Sequence, residues 1–206
     1  MAYWYLVRHG ETAWNAQERV QGQTDIPLSN AGREQVARTA ARLAGYRFGA
    51  VYASDLARAQ ETAKIIVARP SEPALEVRLR PSLREIAYGE LEGAPWEDVR
   101  ASTAELRDFQ GTYHDLDLKP EGGESFRELL ERLGGFAREL EANHPDEDVV
   151  VVSHGGALRA LAVRLLGLPE DAFWRMRGLL PASVSVIRHE ERFSALTAWN
   201  DVGHLQ

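Results

Sequence analysis

YLVRHGETAWN, residues 5 to 15, reads as an apolar strand that stops on Arg8-His9-Gly10, placing a cation and an imidazole at the end of a buried element. An imidazole near its ordinary pKa of about 6.5 is partly neutral, and so nucleophilic, around neutral pH. The adjoining guanidinium offers a bidentate fork to a phosphoryl group. Alone, the tripeptide is also what a surface Arg-His pair closing an edge strand looks like, so its meaning depends on what recurs along the chain.

The chain has 206 residues, enough for one large core, and is expected to form a single domain over residues 1–206. It has no cysteine, which excludes disulfides, a thiolate nucleophile and a Cys-based metal centre. The opening MAYWYLVRHG has no basic leader and no later run approaches a membrane span, so the expectation is a cytoplasmic protein with no membrane partner. A formal charge of -7 argues against nucleic acid as a partner, and any cationic site is therefore local. A homodimer is compatible with all of this.

Residues 3–7, 50–53, 76–79 and 148–153 have strand character, with helical patterns between the first three. That alternation predicts an α/β fold, a three-layer sandwich with a mostly parallel central sheet. A first helix follows Ser29 and runs through Val36, Ala40 and Leu43 to Gly45. A second follows Ser54 or Asp55 as cap and runs to about Ala68. Ser125 and Glu128 form a capping box before Phe126, Leu129, Leu130, Leu133, Ala137 and Leu140, which keep helical spacing. A further helix spans about 157–167, and strands at 183–188 and 193–199 form a closing hairpin. Residues 94–124 are the least regular stretch and read as an insertion or cap segment that carries specificity.

Ligands of open parallel sheets sit beyond the carboxyl ends of the strands, and four such positions here carry apt chemistry. They present Arg8-His9, then Arg58 in a first helical turn, then Glu85 in SLREIAYGELEG, then Ser153-His154-Gly155-Gly156. Two imidazoles, two guanidiniums and a carboxylate are expected to converge. SHGG leads straight into a helix, whose free N–H groups and dipole favour an anion, and Gly155 and Gly156 permit close backbone approach.

RHGETAWN (8–15), VQGQTDIPLSNAG (20–32), SDLARAQETA (54–63), LREIAYGELEG (83–93), GGES (122–125), VVSHGG (151–156) and the tail WNDVGHL (199–205), in this order, resemble the histidine phosphatase superfamily. The resemblance implies a phosphoglycerate mutase-like fold with His9 as a nucleophile that becomes phosphorylated. It implies Arg8, Arg58 and His154 on the phosphoryl oxygens, Asn15 as a hydrogen-bond donor, and Glu85 as the acid and base. Gln21, Gly22 and Gly155 fall beside the phosphate as substrate-binding candidates. Two fixed guanidiniums can neutralise charge where other enzymes use Mg²⁺, so no metal and no cofactor is expected.

The implied activity is a phosphatase acting on small phosphomonoesters. A cofactor-dependent phosphoglycerate mutase is the alternative, and a non-catalytic phosphate- or partner-binding protein is the remaining one. Mutases resembling this chain have NERHYG where it has REIAYG, and they carry an adjacent arginine pair where residues 94–124 have only Arg100, Arg107 and Lys119. Hydrolysis is favoured. Trp14 is expected to pack its loop, Thr12 to cap local backbone, and His144, His189 and His204 to be structural. His114-Asp115 with Asp117 superficially suggests a metal dyad but lacks a second histidine pair at ligand spacing.

Overall fold

In the first strand, β1 (Ala2–Arg8), Trp4 and Leu6 face one way and Tyr5 and Val7 the other, the period of two that lets one strand feed two cores. A computed structural model describes residues 1–68, 75–102 and 115–206. Its other strands are β2 (Ala50–Ala53), β3 (Val77–Leu79), β4 (Val149–Ser153), β5 (Val184–Glu190) and β6 (Phe193–Asp201). They form one six-stranded sheet in the order β3-β2-β4-β1-β5-β6. The four strands from β3 to β1 run parallel, and the β5-β6 hairpin adds antiparallel to β1.

Helices cover both faces. On the Trp4 side lie α5 (Phe126–Asn143), α6 (Gly155–Leu165) and the short α7 (Ala172–Arg175). On the Tyr5 side lie α2 (Asn30–Leu43) and α3 (Ala57–Val67). This is the three-layer α/β arrangement read from the alternation of patterns. Strand β4 sits in the middle with all five residues buried, which is why it reads as an unbroken valine run instead of an alternating one. Burying its four valines is worth on the order of 6–12 kcal/mol before chain entropy, against at most about 1 kcal/mol for a surface ion pair. Burial, not charge pairing, holds the sheet's centre.

The predicted caps divide into two outcomes. Ser29 accepts from Gly32 N, and Ser125 with Glu128 makes the full capping box. Neither Ser54 nor Asp55 caps α3. Leu56 holds the cap position, and the helix's first N–H donates instead to Asp25 Oδ1 at 2.7 Å. The reason is that the Asp55 carboxylate is taken by Arg84, with Nε and Nη2 donating at 2.7 and 2.6 Å.

The stretch 94–124 is more ordered at its start than expected. Trp96–Ser102 forms a helix, α4, opened by Glu97 and Asp98 and seated by a Trp96 N–H to Glu18 carbonyl hydrogen bond of 2.8 Å. Among the described residues of the stretch, α4 is short and Val99 is its buried apolar contact, which gives no periodic signal. No helix among the described residues is long and apolar enough to cross a membrane.

Candidate active site

Parallel pairing of β1 with β4 aligns Arg8 with Ser153, so the residues that follow, His9 and His154, leave the sheet side by side. The His9 N–H donates to the Ser153 carbonyl at 3.0 Å, and the two rings lie 5.1 Å apart at 61°. His9 Nδ1 is 2.7 Å from the Gly10 carbonyl, which can only accept, so Nδ1 carries the hydrogen and Nε2 keeps its lone pair. His154 has the opposite tautomer. Its Nδ1 accepts from Arg58 Nε at 3.2 Å, so its hydrogen is on Nε2, a buried atom with no partner among the described residues.

Burial, followed by the Arg58 guanidinium, holds both imidazoles well below their ordinary pKa. Arg8 adds to this at both rings, and His9 adds to it at His154. Both rings are therefore neutral near pH 7, and His9 Nε2 keeps an unprotonated lone pair.

Arg58 opens α3 and is fully buried. Its Nη1 donates to the Thr24 carbonyl at 2.8 Å and its Nη2 to the Gly22 carbonyl at 2.7 Å, which lock the fork's orientation. Burial pushes its pKa down to about 10, against the opposing pull of Glu85 and Asp25, so it remains a cation at neutral pH. Arg8 Nη1 donates to the Leu179 carbonyl, while its Nε is buried without a partner among the described residues. Burial lowers its pKa as well, and Glu85 and Tyr88 oppose that shift.

Glu85 reaches the same place. The N–H groups opening α6 do favour an anion, and the anion they hold is Glu85 itself: Gly156 N donates to Oε2 and Ala157 N to Oε1, each at 2.9 Å. A Cβ on Gly156 would fall 2.6 Å from Glu85 Oε1, so that glycine is what admits the carboxylate. Gly155 makes only ordinary contact, with the Arg8 side chain lying against it. Arg84 does not pair with Glu85, because Asp55 has taken it.

The Glu85 loop is clasped from below. Arg132 on α5 donates to the carbonyls of Ser82, Arg84 and Glu85 and pairs with Glu124 at 2.7 Å. Ser153 Oγ ties Leu83 to the end of β4 at 2.6 Å.

The other candidates separate by their partners. Asn15 N donates to Thr12 Oγ1 and Asn15 Oδ1 accepts from Thr12 N, which closes a capping box on the short helix α1 (Ala13–Ala16) and leaves the Asn15 side-chain amide nitrogen without a partner among the described residues. Gln21 is buried and accepts from Thr12 Oγ1 at 3.0 Å. Gly22 adopts a φ of +53° and serves the site through its carbonyl, which grips Arg58. Trp14 covers Gly93. His144 lies between Tyr52 Oη and Glu147, His189 stacks on Trp4, and His204 meets Thr39 Oγ1 and the Ala182 carbonyl. His114 of the suspected metal dyad lies outside the described residues, and Asp117 is committed to Arg127.

A pocket of about 540 Å³ opens beside Arg8, Glu85, Gly155 and Gly156, and Tyr88, Trp96, Phe173 and Trp174 are among its walls. Three residues here escape the reading of the chain alone: Arg132, Glu92 and Arg159. Glu92 accepts from Gln23 N, Thr24 N, Thr24 Oγ1 and Tyr88 N, so one carboxylate joins the loop that grips Arg58 to the loop that carries Glu85. Arg159 lines the pocket, and a signal for it exists, since it follows Gly155 by four residues and shares its helix face.

The family model described as the histidine phosphatase superfamily (branch 1) matches residues 4–202. A metal-independent phosphoserine phosphatase of Arabidopsis thaliana is 38% identical over 202 residues, covering 97% of this chain and 82% of the relative. Phosphoglycerate mutase-like protein 4 of the same plant is 36% identical over 204 residues, covering 98% and 86%. Among solved structures, a mycobacterial glucosyl-3-phosphoglycerate phosphatase in complex with VO3 superimposes with a TM-score of 0.83 at 32% identity, covering 96% of this chain and 98% of that one.

Proposed function

We propose, because this chain belongs to branch 1 of the histidine phosphatase superfamily, that it is a metal-independent phosphatase of small phosphomonoesters working through a phosphohistidine on His9. The observation that carries the reading is the tautomer pair: a neutral His9 with its Nε2 lone pair unprotonated, beside the buried donors His154 Nε2 and Arg8 Nε, which have no partner among the described residues. Relatives described as phosphatases of phosphoserine and of glucosyl-3-phosphoglycerate support it.

His9 Nε2 attacks phosphorus while the bond to the ester oxygen breaks, and Glu85, which must enter this step carrying a proton, gives it to that oxygen and is left as the carboxylate. Arg8, Arg58 and His154 hold the three phosphoryl oxygens, supplying fixed positive charge where the transition state spreads negative charge. Water then attacks the phosphohistidine, the Glu85 carboxylate takes its proton, and inorganic phosphate leaves with His9 restored. Asn15, Gln21 and Gly155 border the bound phosphate. Residues 94–124 act as a cap segment that shapes the leaving-group side.

The decisive experiment incubates the protein briefly with a ³²P-labelled monoester and scores acid-labile label, phosphate release, and isomerisation of 3-phosphoglycerate in the presence of 2,3-bisphosphoglycerate. Label and release that survive EDTA and vanish in His9→Ala are expected. Full activity in His9→Ala would end the phosphohistidine reading, and isomerisation much faster than release would make the protein a mutase.

A further inference from the structure

Beyond the phosphoryl end, the pocket carries a cation that phosphoryl transfer does not use. Arg159 stands one turn after Gly155 on α6, about 6 Å further along the helix axis. Gly155 lies against Arg8, so Arg8 and Arg159 mark two stations along one pocket wall. The Arg159 guanidinium sits 4.1 Å above the Phe173 ring and donates from Nη2 to the Phe173 carbonyl, which fixes its plane. Its Nε is buried with no partner among the described residues.

Among the described residues, the nearby carboxylates have other partners. Glu85 lies on the start of α6, Glu124 on Arg132, and Glu170 on Arg127 and Arg164. Glu85 and Tyr88 act on Arg159 electrostatically without pairing with it, and a guanidinium drawn out of water beside Phe126, Phe173 and Trp174 with no carboxylate paired to it among the described residues is costly, unless an anion arrives to meet it. A substrate that places its phosphate at Arg8 brings its leaving group along this wall.

Resting on the phosphatase reading, we propose that Arg159 binds a carboxylate on the leaving group, so that the preferred substrates are phosphomonoesters of small hydroxy acids. A one-turn offset suits a carboxylate separated from the ester oxygen by a short carbon spacer. Phosphoserine and glucosyl-3-phosphoglycerate, the compounds for which two of the relatives are described, both carry a carboxylate of this kind.

The test compares kcat/KM for 3-phosphoglycerate and glycerol 3-phosphate, which differ by a carboxylate in place of a hydroxymethyl group. The wild type is expected to favour the acid by about tenfold or more, Arg159→Gln to lower that ratio by about ten- to hundredfold, mainly through KM, and Arg159→Lys to restore part of it. Using a ratio cancels any general loss of active protein. An acid-to-alcohol ratio near one in the wild type, a wild-type ratio retained in Arg159→Gln, or a ratio in Arg159→Lys no higher than in Arg159→Gln would overturn the assignment while leaving the phosphatase reading in place. Failure to hydrolyse either ester, or p-nitrophenyl phosphate, would remove the phosphatase reading and this one with it.

Discussion

His9 and His154 enter the folded protein as neutral rings, and that choice has a thermodynamic signature. Their folded pKa values lie well below about 6.5, chiefly because they are buried, so in mildly acidic solution the unfolded chain binds more protons than the folded one. Stability therefore rises with pH through this window. It is lost as pH falls from about 6.5 toward the folded values, by at most about 1.4 kcal/mol per pH unit for each ring. Denaturant unfolding at pH 7 and pH 5.5 should show the loss, and His154→Asn should shrink it by about 1 kcal/mol by removing one titrating group. A wild-type stability that is flat between those two pH values would contradict the neutral assignment. The same two residues show what a single chain discloses. Their placement at strand ends was legible, because an apolar run ending on a chemically apt residue is a local pattern. Their tautomers were not, because these depend on the Gly10 carbonyl for one ring and on Arg58, 96 positions away, for the other.

At the level of elements, the site is a set of loops pinned by single side chains. Glu92 is the clearest pin, since it gathers N–H groups from residues 23, 24 and 88. Removing it in Glu92→Ala leaves those donors to solvent and should destabilise the fold by about 1–3 kcal/mol. The same change should lower kcat/KM by up to about a hundredfold, because the Gly22 and Thr24 carbonyls that orient Arg58 sit in the loop it holds. Unfolding measurements and steady-state kinetics check both parts, and an unaltered kcat/KM would count against the brace. The helices themselves were readable from caps and spacing, with Ser125 and Ser29 as their start signals. The ties between loops were not. Arg84 could have served Glu85 or Asp55, and the helix N-terminus after His154 could have held a bound anion or a protein carboxylate. Short-range pattern does not rank such choices, whereas the packed arrangement selects one by distance.

For the whole molecule, the proposed phosphate site predicts strong linkage between binding and stability. Orthovanadate present at about a hundred times its dissociation constant stabilises the folded state by about 2.7 kcal/mol, which corresponds to roughly 5–10 °C in melting temperature for a chain of this size. A thermal melt should show that rise in the wild type, and a much smaller rise in Arg58→Ala. An equal rise in both would place the anion elsewhere. The strand order adds a consequence of another kind. Strands β1 and β2 do not pair with each other; each pairs with β4, which is inserted between them. During synthesis, the ribosome delivers His9, Arg58 and Glu85 long before residue 149, and until that strand emerges the two halves of the sheet have no common edge. The growing chain thus cannot bring His9, Arg58 and His154 together until this late-made central strand emerges.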